Sequence, residues 1–116
     1  MNGITPEQQA RFDYLQTPAG REEQEMRQSI RNYKTAEATY ATLHAAMPKV
    51  YAPWQDITSE DRVKYRDWAG IVYEETFTHG FEPEVRIHSI ERGVELTFAL
   101  IVQALCMDTR FAYGHD

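Results

Sequence analysis

From Arg21 to Met47 the chain carries neither proline nor glycine, and Met26, Tyr33, Tyr40 and Met47 recur there every seven residues. Ile30, Ala36 and Leu43 join them at helical spacing. A single long helix is expected, and any fold must be arranged along it. Pro48 sets its end, because proline disfavours helical geometry in the residue before it. Glu37 and His44 occupy intervening seam positions, so the pattern is not a clean coiled coil. It reads as a bundle helix with an aromatic-rich face, with an open seam for a second copy as the alternative.

The neighbouring helices announce themselves at their starts. Thr5-Pro6-Glu7-Gln8 combines an N-cap, a proline at the first helical position and a capping-box partner. Phe12 and Leu15 are its apolar anchors. Thr17-Pro18 repeats the signal, with Gly20 marking the joint. Lys49 to Trp54, bracketed by prolines, reads as an extended connector pinned by Trp54. Thr58-Ser59-Glu60-Asp61 then supplies a cap and an acidic first turn, which suits the positive end of a helix dipole. The inner stripe of that helix is Tyr65, Trp68, Ala69, Val72 and Thr76, while Val63, Ile71, Tyr73 and Phe77 fall outside it. A helix apolar nearly all round is buried on several sides or meets a partner.

After the break at His79-Gly80-Phe81-Glu82-Pro83, the segment from Glu84 to about Asp108 admits two readings. As a helix it aligns Ile87, Ile90, Val94, Phe98, Ile101 and Leu105. As a hairpin over residues 85–102 it alternates Val85-x-Ile87 and Val94-x-Leu96-x-Phe98 around Glu91-Arg92-Gly93. The good helix formers from Gln103 to Met107 favour the helix, whose residues 98–107 are apolar on every side and expected to be buried. The fold expected is all-α: a single domain over residues 1–116, built as a compact bundle of about four helices with a buried apolar C-terminal helix. An α+β fold with the C-terminal hairpin at 85–102 is the alternative.

With 116 residues and one cysteine, Cys106, no internal disulfide can form, which favours a reducing, cytoplasmic setting. The first residues carry no basic-then-apolar leader pattern. The apolar run from Phe98 to Met107 is about half of what a membrane span needs. The net charge of −6 is unevenly spread. Acids and bases cancel over residues 1–54, whereas residues 55–84 set eight acids against Arg62, Lys64 and Arg66. Nucleic-acid binding needs a basic footprint, and none is present. The sign fits a protein partner with a basic surface.

The search for chemistry assigns no catalytic residue, metal or cofactor, and so no enzyme. The six glycines are scattered singly and form no phosphate loop. Cys106 sits in an apolar run as a core thiol, and Ser29, Ser59 and Ser89 lack a nucleophile's setting. Glu75 and His79 stand four apart, and His79/Glu82 and His88/Glu91 three apart. These last two invert the Glu-x-x-His order of a di-iron bundle, and a zinc site would need three or four convergent ligands without cysteine.

The stretch from Tyr40 to Glu74 is centred on Pro53-Trp54-Gln55-Asp56-Ile57-Thr58-Ser59-Glu60-Asp61-Arg62 and continues to Trp68. It resembles small phage-encoded accessory proteins. The resemblance implies a stoichiometric binder in the host cytoplasm that inhibits a host protein or a defence complex such as a CRISPR effector. From the residues themselves, the surface expected to meet the partner is Tyr51, Trp54, Asp56, Glu60, Asp61, Tyr73, Glu74 and Phe77, where aromatics are rimmed by acids. One alternative is a self-assembling structural or virion-assembly protein, joined through residues 94–107 or the Met26/Tyr33/Tyr40/Met47 seam. The other is a small enzyme whose pocket the sequence does not advertise.

Overall fold

The computed structural model describes residues 3–80 and 83–106. Among them the elements are α1 (Pro6–Leu15), α2 (Pro18–Ala46), a 3-10 turn (Trp54–Asp56), α3 (Ser59–His79), α4 (Glu84–Glu91) and α5 (Leu96–Cys106). The fold is all-α, with no strand among the described residues, so the hairpin alternative falls away. Among the described residues no helix is long and apolar enough to cross a membrane.

The helix starts follow local chemistry. Thr5 Oγ1 accepts from the Gln8 amide at 3.1 Å while the Gln8 side chain accepts from the Thr5 amide at 2.9 Å, which closes the capping box. Thr17 and Thr58 cap α2 and α3 through the amides of Gly20 and Asp61. Gly20 lies within the first turn of α2 rather than at the joint itself. It is buried there because α1 folds back on it: a Cβ at this position would overlap the Tyr14 carbonyl and stand 2.6 Å from the Leu15 Cα. Arg11 then reaches Glu23 at 3.1 Å, an exposed pair that steadies the hairpin only weakly. None of the α1 side chains is buried.

The core forms where α2 and α3 run antiparallel. Tyr40 meets Tyr65 with ring centroids 5.2 Å apart, Thr35 meets Tyr73, and Asn32 lies against Gly70. Between these contacts sit Ala36 and Ala69, both fully buried. Both belong to the core cluster, where a side chain of one methyl group leaves room for the helices to pack closely. Phe98, Ala99, Val102 and Cys106 of α5 complete the cluster with Leu43, Val72 and Val94. An aromatic wall closes one end: Tyr65 stacks on Phe98 at 5.3 Å, Trp68 meets Phe98 edge-on, and Tyr40 contacts Tyr51 and Trp54. The connector is not simply extended, since Trp54 opens a 3-10 turn. It does pin the segment to α2 through Tyr33 and Tyr40.

Three expectations need correction. First, the segment after Pro83 is two helices, not one. Gly93, at φ +86°, ends α4 in a Schellman turn, with the Val94 amide bonded to Ser89 O and the Gly93 amide to Ile90 O. The stripe drawn across that turn is therefore broken: α4 buries Val85 and Ser89 and leaves Ile87 and Ile90 exposed. Second, α5 is not buried on every side, because Leu96 and Leu100 face outward. Third, the 26/33/40/47 seam is not one surface. Tyr40 is core, Tyr33 is half-buried, and Met26 and Met47 are exposed.

Tyr73 is fully buried. Its hydroxyl donates to Thr35 Oγ1 at 3.0 Å, and Thr35 donates onward to the Arg31 carbonyl at 2.9 Å. Burial pushes the Tyr73 phenol up to about 12, and burial likewise pushes the neighbouring Cys106 thiol up to about 12.

Two outcomes follow from this packing. Replacing Gly20 by alanine should cost about 1–3 kcal/mol of local packing. Amide exchange checks it, through faster exchange over residues 5–16 with the amides of residues 35–43 unchanged. For Tyr73, the folded pKa lies above the unfolded value of about 10. Its neutral form thus contributes stability that is full below pH 10 and is lost as pH rises through about 12. Tyr73→Phe should be less stable than the parent by about 1 kcal/mol at pH 7. That gap should narrow as urea unfolding is repeated above pH 10.

Candidate functional site

The residues expected to meet a partner do not form one patch. Tyr51, Trp54, Asp56, Glu60 and Asp61 lie at the connector and the start of α3, whereas Glu74 and Phe77 lie near its other end. At the connector, Tyr51 donates to Glu95 at 3.2 Å and packs on Tyr40, and Trp54 is half-buried against α2. Asp56 and Glu60 are exposed, and Asp61 stands 3.8 Å from Lys64. Tyr73 belongs to the core and cannot touch a partner. It escaped the helical stripe because α2, α4 and α5 all pack on α3, so more than one side of that helix is buried.

Phe77, by contrast, is 59% exposed. It borders an open groove of about 590 Å³ between α2 and α3, together with Gln28, Arg31, Asp67, Ile71 and Glu74. The Arg31 guanidinium lies 3.9 Å from the centroid of the Tyr73 ring and 5.7 Å from that of Phe77. It donates to Asn32 Oδ1 at 3.0 and 3.2 Å. Loss of hydration in the groove lowers its pKa from the ordinary value. Among the described residues no carboxylate forms an ion pair with it. The groove therefore offers a cation stacked on aromatics, with Asp67 and Glu74 on its rim.

A second constellation joins α3 to α4. Glu75, buried except for 4% of its surface, divides its two oxygens. Oε1 forms an ion pair with Arg92 Nε at 2.9 Å, while Oε2 stands 3.3 Å from His79 Nε2 and 4.0 Å from His88 Nδ1. The two imidazoles stack with centroids 4.3 Å apart and planes 5° from parallel. Glu91 approaches His88 Nδ1 at 3.8 Å, and Glu74 approaches Arg92 at 3.3 Å. One ligand atom from each of Glu75, His79 and His88 falls within 4.8 Å of the others, an arrangement able to hold a metal ion. Along the sequence these residues stand only as separate pairs, with no ligand role expected of any. The four-residue spacing of Glu75 and His79 was the visible signal; His88 joins only because the chain turns at Gly80 and returns as α4.

No family model, curated protein or solved structure gives a significant match to this chain.

Arg92 supplies the guanidinium on the buried carboxylate. Arg92→Ala leaves Glu75 buried without it, and the fold should lose about 1–3 kcal/mol. Chemical denaturation measures this, and adding Glu75→Gln to the same variant should restore part of the loss.

Proposed function

We propose that this chain is a stoichiometric helical binding protein whose recognition surface is the groove between α2 and α3. The observation that carries the reading is Arg31, a guanidinium stacked on Tyr73 beside the exposed Phe77, with no carboxylate paired to it among the described residues. Arginine and large aromatics at the centre of a patch are the side chains that dominate binding energy. An acidic side chain of the partner completes Arg31, an apolar one covers Ile71 and Phe77, and basic groups meet Asp67 and Glu74. The acidic excess of residues 55–84 steers a partner of that charge toward the same face. On the resemblance carried by Pro53 to Trp68, the partner is a host protein or defence complex, and the role is inhibition rather than catalysis.

Self-assembly is the second reading, and one observation favours it. Ile87 and Ile90 of α4 and Leu96 and Leu100 of α5 are all exposed, and α5 carries no charge to keep its outer side hydrated. In that case light scattering gives a dimer or larger particle at micromolar concentration, and Leu100→Glu returns it to a monomer.

The groove is tested by Phe77→Ala. Because the ring is largely exposed, the unfolding midpoint should stay where it is. Affinity for the captured partner should fall by at least about tenfold, or ~1.4 kcal/mol. Unchanged affinity in a folded variant would place recognition elsewhere.

A further inference from the structure

The cluster between α3 and α4 has a chemistry that partner binding does not use. We infer that Glu75, His79 and His88 form a site for one divalent transition-metal ion of the Zn²⁺ class.

Three observations converge on it. The first is donor type: two imidazole nitrogens and one carboxylate oxygen suit borderline ions such as Zn²⁺ rather than Mg²⁺ or Ca²⁺, which prefer oxygen alone. Histidine₂-glutamate is a recognised three-ligand zinc set, with the fourth position left to water.

The second is geometry. Bonds of about 2.0 Å in a tetrahedron place ligand atoms about 3.3 Å from one another. His79 Nε2 and Glu75 Oε2 already stand 3.3 Å apart, and His88 Nδ1 lies 4.0 Å from that same oxygen. Both imidazoles keep partial exposure, with 34% and 39% of their side-chain surface open. That exposure leaves the two rings room to reorient toward a shared ion.

The third is charge and orientation. Glu74 and Glu75 flank a single guanidinium, Arg92, and Glu91 lies beside His88, so the cluster holds two negative charges in excess when the histidines are neutral. A divalent ion balances that excess. Arg92 occupies Oε1 of Glu75 and leaves Oε2 aimed at the histidines, which is how an outer-shell partner fixes a ligating carboxylate. The bound ion would tie α4 to α3 across the break after His79, and it binds only the folded chain, so it should also raise thermal stability.

The test uses the full-length chain, stripped with a chelator and titrated calorimetrically with ZnCl₂ in a non-coordinating buffer. One ion per chain should bind. His79→Ala and His88→Ala should each weaken uptake by more than tenfold, and His44→Ala should leave it unchanged. Absence of saturable uptake, or uptake in the two site variants equal to that of the wild type, overturns the site. Should either variant fail to fold, nitrogen NMR of the wild-type imidazoles decides the matter. Zinc must shift the ring nitrogens of His79 and His88 while leaving those of His44 in place; shifts at His44 without shifts at the other two refute the proposal.

Discussion

The packing of α2 against α3, with Ala36 and Ala69 buried in their shared core, is the contact on which the rest of the molecule depends. With both side chains reduced to a methyl group and fully buried, the two helices lie near enough for the polar link from Tyr73 through Thr35 to the Arg31 carbonyl. Packing at crystal-like density tolerates little change at such a seam. A larger residue at either alanine would push the helices apart and break that link. The seam also sets the register that stacks Arg31 on Tyr73 and leaves Phe77 at the groove's edge. From that shared axis, α5 fills the core on one side and α4 closes over the end of α3.

Much of this order was legible locally. N-caps are short-range chemistry, so Thr5, Thr17 and Thr58 could be read directly, and their hydrogen bonds are where the residues demanded them. The stripe Ala69, Val72 and Thr76 was also legible, since it answers to helical spacing alone. What spacing cannot deliver is how many neighbours a helix has. Tyr73 and Glu75 are buried because three other helices pack against α3, and that depends on the whole topology. Gly93 shows a different limit. The apolar stripe from Ile87 to Leu105 argued for continuity through it, but its positive φ and the Schellman hydrogen bonds ended α4 there.

The candidate sites were legible in part. Phe77 and Glu74, expected to meet a partner, are exposed and share their groove with Arg31, brought alongside by the antiparallel register and not by sequence proximity. The Glu75, His79 and His88 cluster has the same character. A four-residue spacing announced one edge of it, and the return of the chain as α4 supplied the other. Glu74 links the two regions, lining the groove and pairing with Arg92 beside the buried carboxylate. Events at the metal cluster and at the groove thus share one turn of α3.

The claim that this seam builds a recognition surface is tested most directly by mapping amide chemical shifts of the labelled protein as its captured partner is added. The account predicts shifts concentrated at Gln28, Arg31, Ile71, Phe77 and Thr78, which line one groove. Shifts concentrated instead at Ile87, Ile90, Leu96 and Leu100 would contradict it and would move recognition to the outer faces of α4 and α5.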